Sequence, residues 1–190
     1  MLANYLKTGT KILGLAQLIN SGKPGFAGCY RVVPVGTVMA IEFFDAGKRS
    51  DQNGMKNIGI LPYRPSEIAE LSLVHHQEVI SGEFTGCIMS LYRKQSVLTA
   101  AHVDTNPETS KRMAYENQKN NNIISPIAEC DTTGMLSIPK TVILCIATKE
   151  EVKSYVVEKG THSSHKKVPV PGMPGQFQTG QVGETIYTVK

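Results

Sequence analysis

The run Gly82-Glu83-Phe84-Thr85-Gly86-Cys87-Ile88-Met89-Ser90-Leu91-Tyr92 passes through Arg93-Lys94-Gln95-Ser96 and returns as Val97-Leu98-Thr99-Ala100-Ala101-His102-Val103. Both arms are rich in β-branched, aromatic and apolar residues, and the residues between them are polar. That pattern predicts a β-hairpin. With the loop centred between Lys94 and Gln95, Leu91 faces Leu98, Met89 faces Ala100 and Cys87 faces His102. Directly opposed residues of an antiparallel pair hold their Cβ atoms about 4.5–5.5 Å apart, within reach of a thiol–imidazole contact. The register rests on an even loop, because an odd one sends the two side chains to opposite faces. Lys-Gln is not a favoured type I′ pair.

Outward from the hairpin, Thr105-Asn106-Pro107-Glu108 carries a polar cap, a proline at the first helical position and an acid in the first turn. These predict a helix running to Lys119 and fraying into Asn120–Asn122. Upstream, Ser72 to Ile80 reads as a strand, and Ser66 caps a short helix from Glu67 to Leu71. Further strands are expected at Tyr30–Val33, Thr37–Phe44, Ile123–Ile127, Thr141–Ala147 and Thr185–Val189. Helices are expected at Thr10–Asn20 and, capped by Thr148, at Lys149–Glu158. Asp45 to Asn57 reads as a polar loop, and residues 168–183, dense in Pro and Gly, as a surface segment. The sum is an α+β chain built on a mixed sheet or sandwich, one domain over 1–190 with a helical lead-in over 1–27.

Composition fits a folded protein: hydrophobic residues make up 41% and charged residues 19% of 190. The net charge of +4 comes from scattered basic residues without aromatic interleaving, so no nucleic-acid partner is expected. A mildly basic surface suits an acidic protein partner. Cys29, Cys87, Cys130 and Cys145 form no C-x-x-C pair and read as free thiols in a reducing compartment. No apolar run reaches the length of a membrane span, and Met1–Asn20 lacks a signal-peptide cleavage pattern. His75-His76 and His162/His165 lack cysteine or carboxylate partners at zinc spacing, so neither a metal nor another cofactor is expected.

A thiol reacts as its thiolate, and an imidazole beside it takes the proton. Gly86, just before Cys87, permits an unusual backbone angle and close approach of a substrate. The Gly86–Cys87 backbone, through the Cys87 N–H, is then the candidate oxyanion donor. The plainer alternative is a buried cysteine packed as a small apolar residue and a histidine satisfied in a strand. Asp104 shares a face with His102 but lies about 7 Å along a strand, an electrostatic neighbour rather than a partner. Cys29, which follows Gly28, is the backup nucleophile, and Cys130 and Cys145 are expected to be inert.

Phe84-Thr85-Gly86-Cys87 followed by Ala101-His102-Val103 resembles the cysteine–histidine glutamine deamidases. These include the chemotaxis receptor deamidase CheD, the catalytic domain of cytotoxic necrotizing factor and Burkholderia lethal factor. The Cys87-to-His102 interval is close to that of the necrotizing factors, whereas the Ala-His-Val context is more like CheD. CheD and Burkholderia lethal factor carry a threonine six residues before the cysteine; Ser81 stands there in this chain and keeps the hydroxyl. The resemblance spans mainly Ser81 to Lys119. It implies a mixed β-sandwich core flanked by helices and loops. It also implies Cys87 as nucleophile, His102 as acid and base, and Ser81 or a backbone carbonyl orienting the imidazole. The implied reaction is deamidation of a glutamine on a protein substrate, or transglutamination where an amine replaces water. The implied setting is a bacterial toxin or effector, made in the bacterial cytoplasm and secreted or injected into a host cytosol. There it would modify a regulator such as a small GTPase or a translation factor. A cytoplasmic CheD-like role is the alternative.

Two rivals remain. Val97–His102 also resembles the segment around the catalytic histidine of trypsin-like serine proteases, but no Gly-Asp-Ser-Gly-Gly-like loop follows His102. A non-catalytic binding domain, with Cys87 and His102 merely packed, is the second.

Overall fold

In a computed structural model of the chain, the described residues are 1–15, 26–45, 56–84, 86–135 and 138–190. Strands, numbered along the chain, form two sheets. The first closes into a barrel in the order β1 (Lys11–Leu13), β12 (Phe177–Val189), β11 (Val152–Pro169), β10 (Thr141–Ala147), β6 (Glu78–Phe84), β4 (Lys56–Ile60), β2 (Phe26–Val35) and β3 (Val38–Asp45). Its pairs are antiparallel except β1 with β3 and β4 with β6. The second sheet has four strands in the order β5 (Ile68–Ser72), β8 (Val97–Val103), β7 (Ile88–Lys94) and β9 (Ile124–Asp131). The α-helix found among the described residues, α1, is Arg112–Asn120.

The molecule is strand-rich, and its layers follow from side-chain alternation. On β10, Leu144 and Ile146 point into the barrel, whereas Ile143, Cys145 and Ala147 pack with Met89, Leu91 and Ala100 of the second sheet. Strand residues alternate between faces, so a strand buried on both sides reads as the unbroken run Val142-Ile143-Leu144-Cys145-Ile146-Ala147. β7 is also buried on both faces. Its outer residues Ile88 and Tyr92 pack with Ala101 and Val103 of β8 and with Tyr115 of α1. The order is therefore barrel, sheet, helix. At the barrel's core, buried Glu78 accepts hydrogen bonds from the Leu2 N–H (2.7 and 2.9 Å) and the Tyr30 hydroxyl.

Several expectations are corrected, each for a tertiary reason. Glu67–Leu71 contributes a strand rather than a helix. A five-residue helix is below nucleating length, while the free side of β8 offers β5 a ladder that includes Ala69 opposite His102. Lys149–Glu158 is likewise not helical. The Thr148 hydroxyl does accept from the Glu150 and Glu151 N–H groups, but the chain then enters β11 because Val152–Glu158 pairs along β10. Of the Pro/Gly-rich segment, 168–169 and 177–183 belong to the β11–β12 ladder. Of the expected helical lead-in, the stretch up to Leu13 holds a 3-10 turn (Leu2–Tyr5) and β1 instead of an α-helix. The remainder of the proposed Thr10–Asn20 helix (16–20) and most of the polar 45–57 loop lie outside the described residues. The α+β expectation with several flanking helices thus reduces to one helix against two sheets among the described residues. One of those sheets is a barrel rather than half of a sandwich.

The hairpin exists, with its turn one residue further along than expected. Gln95 and Ser96 form a two-residue turn, both with positive φ (50° and 66°), as a type I′ connection requires. His102 therefore opposes Met89, and Cys87 precedes the ladder, whose last pair is Ile88 with Val103. The loop is still even, so Cys87 and His102 belong to the same face, as diagonal rather than direct neighbours.

Candidate functional site

His102 faces the barrel from β8, and a bulge in the barrel wall shapes what it meets. β6 pairs with β10 through Ser81–Cys145 and Phe84–Ile143, with one extra residue on β6 between them. A bulge re-aims the side chains beyond it, so Ser81 and Phe84 both reach His102. The Phe84 ring stacks on the imidazole with centroids 4.0 Å apart and planes 10° from parallel. Ser81 Oγ lies 2.8 Å from His102 Nδ1 and donates its own proton to the Leu61 carbonyl at 2.6 Å. A serine hydroxyl has one proton to give, so Nδ1–H must be the donor to Ser81, and the free lone pair is on Nε2. Nε2 is buried and has no hydrogen-bond partner. The ring as a whole is 2% exposed. Burial pushes its pKa down to about 4, against the opposing pull of the Asp104 charge. His102 is therefore a neutral base with a defined tautomer.

Cys87 sits on a turn held by threonines. The Gly86 carbonyl accepts from the Thr105 and Thr133 hydroxyls, and the Cys87 carbonyl accepts from the Thr132 hydroxyl (2.7 Å) and N–H (3.0 Å). None of these bonds takes the Gly86 or Cys87 N–H. Gly86 has φ +141°, a conformation that only glycine adopts without strain. The thiol is 8% exposed. Burial raises its pKa; hydrogen bonding from Thr105 opposes this and the Asp104 charge adds to it. The resting pair is thus neutral thiol and neutral imidazole, with no hydrogen bond from Cys87 to His102 Nε2. A standing thiolate–imidazolium pair, as the sequence suggested, is not present.

Asp104 organises the surrounding loop. It is fully buried and accepts from the Ser66 N–H (2.8 Å), the Asn106 N–H (2.9 Å), the Thr109 hydroxyl (2.5 Å) and the Tyr63 hydroxyl (3.3 Å). Desolvation pushes its pKa up, but these hydrogen bonds outweigh it and hold the carboxyl below its ordinary range. Ser66 takes a positive φ of 62° to make its contact. By holding 105–110 in turns, Asp104 delays the expected helix until Arg112, with Lys111 N–H bonded back to the Asp104 carbonyl. Asp104 makes no bond to His102 and acts on it through charge alone, as its place along the strand suggested.

A pocket of about 390 Å³ opens over this turn, lined by Tyr63, Gly86, Cys87, Thr105, Asn106 and Thr133 among others. That is the volume range of small-ligand sites. His102 does not line it; the Tyr63 ring, 41% exposed, lies tilted against the imidazole at 5.3 Å. The structure thus places Ser81 against His102, and Gly86 and Cys87 on the pocket wall, with Tyr63 between pocket and imidazole. Sequence reading missed Tyr63, Phe84 and the three threonines. Gly82 within a strand pattern was the available signal for the bulge; nothing local marked the others.

The side chain of Cys29, the backup nucleophile, lies outside the described residues. Cys130 and Cys145, expected to be inert, both pack in the core between the four-stranded sheet and the barrel. Cys87, Cys130 and Cys145 are all free of disulfides. No group of three or more His, Cys, Asp or Glu residues among those described is arranged to hold a metal ion, and no described helix is long and apolar enough to cross a membrane. No family model matches the chain, and no curated protein matches it in sequence.

Proposed function

We propose that the chain is a cysteine-dependent glutamine deamidase acting on a protein substrate, with Cys87 as nucleophile, His102 as general acid and base, and Ser81 positioning the imidazole. The observation that carries this reading is the buried Leu61 carbonyl–Ser81–His102 relay, which leaves an unpartnered Nε2 on a ring that packs against Tyr63, itself a wall of the pocket that Cys87 lines. A polar atom left unpaired in the interior costs about 1–3 kcal/mol, so its retention suits a group that receives a proton during turnover. The packing of the four-stranded sheet on the β6–β10 wall supports a layered, strand-rich fold of this kind.

In this mechanism a glutamine side chain enters the pocket and displaces the Tyr63 ring. Cys87 Sγ then attacks the carboxamide carbon as its proton passes to His102 Nε2. The Gly86–Cys87 amides face the developing oxyanion. His102 returns the proton to the departing ammonia, then takes one from the water that hydrolyses the thioester, and glutamate remains. An amine in place of water gives transglutamination. The rise in the Cys87 pKa makes proton transfer concerted with attack, rather than prior to it.

A toxin or effector acting on a host regulator, such as a small GTPase or a translation factor, is the proposed setting; a CheD-like receptor deamidase is the alternative. A specific observation favours a second reading: the missing Cys87–His102 hydrogen bond fits a non-catalytic binding domain. Mass spectrometry of host proteins incubated with the wild type and with Cys87→Ser separates them. A Gln-to-Glu change seen only with the wild type supports deamidation; its absence across the host proteome supports the binding domain.

A further inference from the structure

The two carbonyls that flank the Cys87 side chain are each held twice, and the bonds lead outward to a surface ion pair. The Gly86 carbonyl accepts from the Thr105 and Thr133 hydroxyls, the latter at 2.8 Å. The Cys87 carbonyl accepts from the Thr132 hydroxyl at 2.7 Å and the Thr132 N–H at 3.0 Å. Thr133 Oγ1 also lies 2.8 Å from Arg112 Nη2. A guanidinium only donates and a hydroxyl has one proton, so Arg112 occupies a lone pair of Thr133 and leaves its proton for Gly86. The same Nη2 bonds Asp131 Oδ2 at 2.7 Å, and Asp131 Oδ1 accepts the Thr133 N–H at 2.9 Å. Asp131, Arg112 and Thr133 thus form a closed brace between the end of β9, the start of α1 and the Gly86 turn.

The brace fixes a direction. Gly86 O and the Cys87 N–H belong to one trans peptide plane and point opposite ways. A carbonyl anchored by two hydroxyls therefore sets the Cys87 N–H as well, and none of the bonds around the turn consumes that N–H. Gly86, with no Cβ to restrict it, is the residue about which this peptide turns most freely. Its orientation is supplied from outside, by Thr105 on the loop that Asp104 organises and by Thr133 beyond β9.

We propose that Thr133, braced by the Arg112–Asp131 ion pair, is a positioning residue that orients the Cys87 N–H toward the oxyanion formed when Cys87 attacks a carbonyl. This role rests on Cys87 being the nucleophile, and it adds three residues that the reaction itself does not touch. Thr133 acts through the Gly86 carbonyl. Arg112 acts one bond further out, by fixing which way the Thr133 hydroxyl donates. Thr133 lines the pocket and Arg112 and Asp131 do not; their side chains are 39% and 45% exposed, so the outer end of the brace can be altered without disturbing the core.

The test compares two reactions of Cys87 in the full chain at pH 7. In acylation by p-nitrophenyl acetate, sulfur bonds to the ester carbonyl carbon and the carbonyl oxygen carries the negative charge until p-nitrophenolate leaves. The thiol proton passes to His102. Alkylation by iodoacetamide displaces iodide from a saturated carbon and forms no oxyanion. Acylation is read as the p-nitrophenol release that is lost in Cys87→Ala, and alkylation by peptide mapping. Thr133→Val is expected to slow acylation roughly tenfold, the worth of one orienting hydrogen bond, and to leave alkylation unchanged. Thr133→Ser should restore most of the acylation rate, and Arg112→Met should lower it in the same direction as Thr133→Val. Equal loss of both reactions in Thr133→Val would show a general disturbance of the turn, and unchanged acylation would show the brace to be idle. Either result overturns the proposal and leaves the deamidase reading standing. No release attributable to Cys87 in the wild type would overturn both.

Discussion

Replacing His102 with asparagine separates the two things burial does to this residue. The asparagine amide offers a donor to Ser81 Oγ where Nδ1–H stood, but it does not titrate. The wild-type ring has its pKa lowered from the ordinary 6.5 to about 4 because it is 2% exposed. Between those values the unfolded chain binds a proton at His102 that the folded chain refuses, so stability rises with pH there. The contribution is fully present above pH 6.5, falls through the window, and is gone below pH 4. At about 1.4 kcal/mol per pKa unit, the loss is about 3 kcal/mol, a large part of the 5–15 kcal/mol typical of a folded domain. Urea unfolding of both proteins at pH 7, 6, 5 and 4 reads it directly. Carboxylates titrate in both chains and cancel in the difference. The smaller side chain and the lost Phe84 stacking add a constant offset. The gap between the two proteins should therefore move by about 3 kcal/mol, with the wild type losing stability faster as pH falls. A gap that stays constant from pH 7 to pH 4 would show that His102 is solvated and would remove the neutral buried base on which the mechanism depends.

Ser81→Ala should lower kcat about 5- to 150-fold with little change in KM, since one hydrogen bond that orients a base is worth about 1–3 kcal/mol, and Ser81→Thr should restore most of it; equal activity in all three chains would remove the positioning role. Gly86→Ala should cost about 1–3 kcal/mol by urea unfolding, because φ +141° is strained for any residue with a Cβ. Tyr30→Phe removes a donor from buried Glu78 and should destabilise by about 1.5–3 kcal/mol, measured as a lower urea midpoint at unchanged slope. Iodoacetamide at pH 7, followed by peptide mapping, should modify Cys130 ahead of Cys87, because Cys130 is half-buried whereas Cys87 is buried and burial raises its pKa. Faster labelling of Cys87 would contradict both assignments.

What the sequence determined by itself is local in kind. Alternation and β-branching in Ile88–Val103 specify two paired arms; the apolar stretch Thr141–Ala147 specifies a strand; Gly86 before Cys87 marks a special backbone angle. The six-residue interval from Ser81 to Cys87 carried the third site residue through the resemblance alone. Tertiary structure decided the rest, because the deciding energies come from partners distant in sequence. The Thr148 cap signal is real, yet β10 offers residues 152–158 a ladder that a short isolated helix cannot match. The placement of the turn was not legible, because both even-loop registers keep the same side chains on the same faces and alternation cannot choose between them. The charge states are the clearest case. Cys87 and His102 carry no sequence mark of a neutral thiol beside a neutral base, since desolvation sets both only when the sheet packs on the barrel.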